Sequence, residues 1–188
     1  MNFSASSFFL YSPAYEEKAM IFKKNSEPEG INLLASILIC YREISAIAYE
    51  PKDKTVKLTF VIEKNIGEKD FQELAEFLAE SMNTYLMVSG FYGTRTDFNM
   101  ETQGKHAFLH ITRELETLTK GELTLIVTLL EDRFGEALIM GGDNAPDDEM
   151  LEIQEETLER MLMSTRMIEL RGRLVGVREG DAVMVYNK

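Results

Sequence analysis

Two histidines are the side chains best suited to acid–base or metal chemistry in this sequence. His106 and His110 are its only histidines. On a helix, a separation of four residues would let the pair chelate a metal, whereas on a strand the two rings would stand about 13 Å apart. Ala107, Leu109 and Ile111 alternate with more polar residues, which favours a strand. We therefore predict that both rings lie on the less apolar face of a sheet, as candidate ligand- or partner-binding residues without a metal.

A second candidate site lies in residues 90–97, GFYGTRTD. Two glycines there flank Phe91 and Tyr92, and Arg95 follows. Glycine permits close approach of the backbone to a ligand, and aromatic residues with arginine are typical of binding hot spots. The segment lacks a Walker lysine and a strand-to-helix setting, so it does not fit a phosphate-binding loop. Phe91, Tyr92 and Arg95 are therefore candidate contacts with a ligand or partner, and an ordinary long connection is the alternative.

The remaining reactive residue types fit structural roles better than chemical ones. Cys40 falls inside an apolar run and is expected to be a buried hydrophobe. Residues 141–149, GGDNAPDDE, concentrate carboxylates but lack the ligand spacing of an EF-hand, and they suit the N-terminus of a helix. Arg171, Arg173 and Arg178 could hold an anion or offset nearby acidic residues. No GxSxG, HExxH or CxxC pattern occurs, so we predict no catalytic residue, no metal and no cofactor.

The charge and composition argue against several classes of partner. The 188 residues carry 32 acidic and 20 basic side chains, a formal net charge of −12, which would repel nucleic acid. The longest mainly apolar stretch, INLLASILICY, is far shorter than the roughly 20 residues that cross a bilayer. The N-terminal residues lack the pattern of a secretory signal, and one cysteine cannot form an intramolecular disulfide. We therefore expect a cytoplasmic protein that binds neither nucleic acid nor membrane.

Hydrophobic periodicity and turn signals divide the chain into helices and hairpins. A capping-box spacing at Ser26 and Glu29 opens the first helix. The pattern predicts, in chain order, helix 26–42, strands 43–49 and 55–63, helix 68–87, a loop at 89–104, strands 106–113 and 122–130, a short strand 137–140, helix 144–170, and strands 173–178 and 182–186. Helix followed by hairpin thus recurs three times, over residues 26–63, 68–131 and 144–187.

Strands that pair locally and are separated by helices predict an α+β fold, with a mostly antiparallel sheet and about three helices packed on it. The element order over residues 26–170 is similar to that of profilin-like and roadblock-like modules, an analogy that no motif accompanies. One core is expected for a chain of this length. We predict a single domain over residues 26–188 and an N-terminal extension over residues 1–25, in which residues 19–22 could add an edge strand.

Two classes of function are compatible with these patterns. A non-catalytic protein-interaction or regulatory module that self-associates is favoured by the acidic surface, the lack of a catalytic motif, and apolar helices that could exceed what one small sheet covers. The alternative is a small-molecule-binding protein or enzyme whose site combines residues 90–97 with the strand that carries His106 and His110. A deep pocket holding these side chains would favour the alternative, and a flat apolar patch would favour the first class.

Overall fold

The structure, a computed structural model, describes residues 20–22, 28–142, 148–165, 170 and 172–187. Over these residues the chain forms a mixed α+β fold with a largely antiparallel sheet, as predicted. The described helices and strands, in chain order, are β1 (Met20–Phe22), α1 (Pro28–Cys40), β2 (Ile44–Glu50), β3 (Thr55–Ile62), α2 (Glu68–Val88), β4 (Thr96–Gln103), β5 (His106–Glu114), α3 (Lys120–Phe134), α4 (Asp148–Thr165), β6 (Leu174–Glu179) and β7 (Ala182–Asn187). Short 3₁₀ turns occupy Leu115–Thr117 and Gly135–Ala137.

The described strands form one sheet in the order β1-β7-β6-β2-β3-β5-β4. All neighbours are antiparallel except β1, which lies parallel to β7 at one edge. Along β3 and β5 every second residue is buried, because successive side chains of a strand point to opposite faces. The buried set of each strand faces the helices, so the core lies between the sheet and the helical layer.

Helix α1 packs directly on β6, β7 and β2. Gly176 on β6 makes this close approach possible, since a Cβ atom there would meet Leu38 of α1 at 2.9 Å and Ile47 of β2 at 3.0 Å. Leu34 and Leu38 of this helix are fully buried. Helix α4 lies on α1 and α3, with the Ser36 hydroxyl 3.6 Å from the sulfur of Met161. The helical layer is thus two deep over this half of the sheet.

Helix α2 has the amphipathic pattern that the sequence predicted. Leu74, Leu78 and Met82 recur every four residues and are buried, as is Leu86. The helix packs against α3, and the hydroxyl oxygens of Tyr85 and Thr119 lie 3.2 Å apart where α2 ends and α3 begins. Helix α2 therefore closes the core over the β4 half of the sheet.

The predicted strand at residues 122–130 is wrong, because Lys120–Phe134 form helix α3. The run LTLIVTLL is rich in branched residues and reads as a strand, but Leu123, Ile126, Val127 and Leu130 are the buried residues and follow a helical period. The cap is also present in the sequence: the hydroxyl of Thr119 accepts a hydrogen bond from the backbone N–H of Glu122 at 3.1 Å.

Strand β4 lies inside the segment predicted to be a loop at residues 89–104. Its sequence TDFNMETQ is mostly polar because it is an edge strand, with only Phe98 and Met100 packed against the core. The second hairpin is therefore β4–β5, and helix followed by hairpin does recur three times, with α3 added before the last unit. The three-strand meander of the profilin-like analogy is wrong, and the predicted short strand at 137–140 is a single bridge between Ile62 and Leu138.

Several predicted features lie outside the described residues. They are residues 1–19 and 23–25 of the N-terminal extension predicted over 1–25, the cap at Ser26, the start of the last predicted helix at 144–147, its end at 166–169, and Arg171. Most of the carboxylate-rich stretch 141–149 also falls there. Within the described range the last helix runs from Asp148 to Thr165.

Candidate functional site: the uncovered face of the sheet

The described helices leave one face of the sheet bare. We call this side the uncovered face. It consists of the residues that alternate with the buried set. Its central members are half-buried: Ala46, Ala48, Thr59, Val61, Phe108, His110, Thr112, Val175, Val177, Met184 and Tyr186.

The uncovered face has an apolar half over β7, β6 and β2. The strand register aligns six side chains in two rows, Met184–Val177–Ala46 and Tyr186–Val175–Ala48. None of these six residues carries a charge. A strand with one face exposed to solvent normally alternates apolar and polar residues, largely as β3 and β5 do. A strand that is apolar on both faces is typically buried on both. Strands β6 and β7 have the second pattern although described residues cover only one of their faces.

The other half of the uncovered face, over β3, β5 and β4, is polar apart from the paired Val61 and Phe108, and it centres on His110. Its Nδ1 atom lies 3.0 Å from the hydroxyl oxygen of Thr59, and its Nε2 atom lies 3.9 Å from a carboxylate oxygen of Glu101. The histidine side chain is 12% exposed. Burial and the nearby Lys57 ammonium lower the pKa of His110 below its ordinary value, and the Glu101 carboxylate partly opposes them. The neutral imidazole is therefore the favoured form near neutral pH.

The dimensions of the uncovered face match those of a protein–protein interface. Strands about 4.8 Å apart and about seven residues long give the sheet a plan area of about 34 Å by about 23 Å, or about 800 Å². A standard stable interface buries about 800 Å² on each partner. The face is thus large enough for a second folded protein.

The structure does not bring the five predicted site residues together. His106 and His110 share the uncovered face, but Arg95 lies beyond the opposite end of β5, because Thr96 pairs with Arg113 while His106 pairs with Gln103. Seven residues of strand, about 23 Å, separate these two ends. Arg95 forms an ion pair with Asp97 at 2.8 Å.

Phe91 and Tyr92 of the 90–97 segment have different roles: the backbone of Phe91 helps to end helix α2, and the side chain of Tyr92 faces solvent. The backbone N–H of Phe91 donates to the carbonyl of Leu86 at 2.8 Å, which closes the last turn of the helix. Tyr92 is 75% exposed. Gly90 and Gly93 both have positive φ angles, 82° and 69°, so their conformations require glycine for the turn itself.

Two shallow clefts lie at the end of the sheet where β3 leads into α2. One, of about 290 Å³, is bordered by Leu74 and Phe134, and the other, of about 320 Å³, by Leu138 and Met140. Phe91, Tyr92, Arg95, His106 and His110 line neither cleft. Within the described ranges, no group of three or more His, Cys, Asp or Glu side chains is arranged to hold a metal ion.

The arginines near the last hairpin are also separated. Arg173 forms an ion pair with Glu50 at 3.2 Å. Arg178 lies on the helix side of β6, where burial and the neighbouring Arg42 guanidinium lower its pKa, partly opposed by the carboxylates of Glu43 and Asp181. Its Nε and Nη2 atoms are buried and have no hydrogen-bond acceptor among the described residues. Arg173 and Arg178 therefore do not together form an anion site, and the Arg173–Glu50 pair agrees with the alternative that these arginines offset acidic residues.

The apolar half of the uncovered face was missed by the sequence reasoning. A signal for it was present, since Val175, Val177, Met184 and Tyr186 occupy positions where a half-exposed strand would carry polar residues. No protein-family model, curated protein or solved structure matches this chain. In the part of the chain that the structure describes, no helix is both long enough and apolar enough to span a bilayer.

Proposed function

We propose that this protein is a non-catalytic protein-interaction module that self-associates through the uncovered face of its sheet. One observation carries the proposal: residues 174–177 of β6 and 182–186 of β7 are apolar on both faces, while the described helices cover only one face. Burying the second face of these strands would remove apolar side chains from water, at roughly 25 cal/mol per Å². The proposal includes a cytoplasmic location, which the acidic composition and single cysteine support.

A second copy of the chain is the partner that fits this face best. The apolar half carries no charge that would select an oppositely charged partner, and an apolar patch is complementary to itself about a two-fold axis. Two sheets packed face to face lie about 10 Å apart, with side chains of Val177 and Met184 filling the space between them. Coverage of the whole face, apolar and polar halves together, would bury about 800 Å² per copy, the size of a standard stable interface.

Catalysis is not part of the proposal, because the residues that could carry it are spread over the molecule. The alternative of a small-molecule site built from residues 90–97 and the 106–110 strand would need Arg95 and His106 within reach of one ligand, and they flank opposite ends of β5.

The test is the mass of the protein in solution, measured by light scattering after size-exclusion chromatography and by sedimentation velocity over a range of concentrations. We expect a dimer for the natural sequence and a monomer for Val177→Lys, because the substitution places two ammonium groups in the centre of the interface. Ile153→Lys is the matched control: it introduces the same charge at a branched residue of α4 that is 53% exposed, and the dimer should persist.

Circular dichroism of each variant shows whether the subunit remains folded. A natural protein that stays monomeric at all concentrations, or a Val177→Lys variant that remains dimeric, would refute self-association through this face. A stable monomer that loses thermal stability on Val177→Lys would also refute it, and would indicate residues 1–19 of the same chain as the cover.

A further inference from the structure

His110 lies in the same row of side chains as the apolar patch. The register runs Met184–Val177–Ala46–Thr59–His110–Asn99 across β7, β6, β2, β3, β5 and β4. A second copy that packs on the apolar half and extends over the sheet would therefore also cover the imidazole. The interface would then contain a group whose charge changes between pH 5 and pH 8.

We propose that self-association through the uncovered face is controlled by pH, with protonation of His110 separating the two copies. The inference rests on the proposed self-association and names its regulation. The switch is the imidazole with its hydrogen bond to Thr59, and the two-state element is the packing of one sheet on the other.

The charged groups around His110 do not stabilise its protonated form strongly. On β3, the Lys57 ammonium carries the same sign of charge as imidazolium, and Thr59 is neutral. On β4, the edge strand, the Glu101 carboxylate stands 3.9 Å away, beyond the length of a charge-assisted hydrogen bond, and its 72% exposure lets water screen much of its attraction. Asp97, diagonal to His110 on β4, is engaged by Arg95.

Glu114 of β5 lies farther along the same face, opposite Thr55. A carboxylate close enough to hold a buried imidazolium as a well-formed ion pair is therefore absent from the described residues around this ring. Covering the ring without such a partner makes its charge costly.

The direction of the pH effect follows from proton linkage. In the free subunit the pKa of His110 is already lowered by burial, and coverage by a second copy would lower it further. The separated subunits then bind protons more readily than the dimer, so acid favours separation. The dimer is fully stable above the pKa of the free subunit and weakens as the pH falls below it.

The number of His110 residues in the dimer limits how strongly its dissociation constant can depend on pH. Each protomer contributes one His110, and each titration can change the dimer dissociation constant by up to about tenfold per pH unit. With two copies the limit is about a hundredfold per pH unit, and we expect the dissociation constant to rise as the pH falls from 7.5 to 5.5. Sedimentation velocity at these two pH values measures the change directly.

Two variants distinguish the effect of His110 protonation from that of other groups that titrate in acid. His110→Gln keeps a hydrogen-bonding partner for Thr59 but cannot be protonated, so its dimer should have the same dissociation constant at both pH values. His106→Gln is the matched control, since this ring lies on the same face at the β4–β5 turn; it should retain the pH dependence of the natural protein.

Each result has a distinct meaning for the proposal. A dimer that is equally stable at both pH values, or a His110→Gln variant that still separates in acid, overturns the role of His110 while leaving self-association intact. A protein that is monomeric already at pH 7.5 overturns the proposed function and the switch together. Circular dichroism of the natural protein at pH 5.5 should show a folded subunit, and unfolding there would equally overturn the switch.

Discussion

Replacing Glu122 by alanine should be among the most damaging single changes in the helical layer. Glu122 lies in the first turn of α3, and its carboxylate accepts hydrogen bonds from Nε and Nη2 of Arg113 on β5. Both side chains are 0% exposed. Arg113 also donates to the backbone carbonyl of Arg95 and, at 3.3 Å, to the hydroxyl of Thr117. The Arg113 guanidinium thus joins β5 to α3. It also contacts the α2–β4 connection at Arg95 and the β5–α3 connection at Thr117.

The expected loss follows from the burial of the pair. Burial raises the pKa of Glu122, and the two hydrogen bonds from Arg113 oppose that rise. With the carboxylate removed, Arg113 would keep its charge in the same buried position without a counter-ion, which typically costs about 3–5 kcal/mol of unfolding free energy. Replacing both residues, in Arg113→Met with Glu122→Leu, removes the charge as well and forfeits mainly the bonds to Arg95 and Thr117. That double variant should lose only about 1–2 kcal/mol.

The assay is equilibrium unfolding in urea at pH 7, followed by circular dichroism at a protein concentration common to all variants. Glu116→Ala is the control, since this carboxylate pairs with Lys54 at 3.1 Å on the surface and should contribute less than about 1 kcal/mol. The decisive comparison is between Glu122→Ala and the double variant. If the single change costs less than the double change, the buried charge is not the source of the loss and the reasoning is refuted.

Two further substitutions test the packing of α2 and the setting of Arg178. Leu78→Asp places a carboxylate in a fully buried position and should lower the free energy of unfolding in urea by about 4 kcal/mol or more. The control Glu76→Asp, at an exposed position of the same helix, should change it by less than about 0.5 kcal/mol. Similar melting temperatures for the two variants would contradict the docking of α2. Arg178→Met removes buried donors without an acceptor, so stability should stay constant or rise by about 1–2 kcal/mol, and a loss above 1 kcal/mol would show that the guanidinium is satisfied in solution.

Local patterns predicted most of the elements correctly. The hairpin β2–β3 and the helix α2 were identified because their residues alternate with periods of 2 and 3.6, a property of the chain itself. Helix α3 was predicted as a strand because branched apolar residues suit both structures. The Thr119 cap is a local signal for the helix, whereas Arg113, the partner of the buried Glu122 carboxylate, comes from β5.

In the candidate site too, some features follow from local patterns and others depend on the tertiary structure. Local alternation correctly placed His106 and His110 on one strand face, but the distance from that face to Arg95 depended on the register between β4 and β5. The apolar rows of the uncovered face required the order of β7, β6 and β2, which brings residues 46–48 beside residues 175–186. No local pattern encodes such pairing, because it depends on packing between strands that are far apart in the sequence.

By itself, the sequence determined the α+β class, the hairpins β2–β3 and β6–β7, and the inward faces of α1 and α2. These features depend on side-chain periodicity and turn residues, which act over a few positions along the chain. Only the tertiary structure decided the order of the strands, the helical state of residues 120–134 and the one-sided placement of the helices. Each of these depends on which distant surfaces exclude water together, and that choice is made by the whole core rather than by any segment of it.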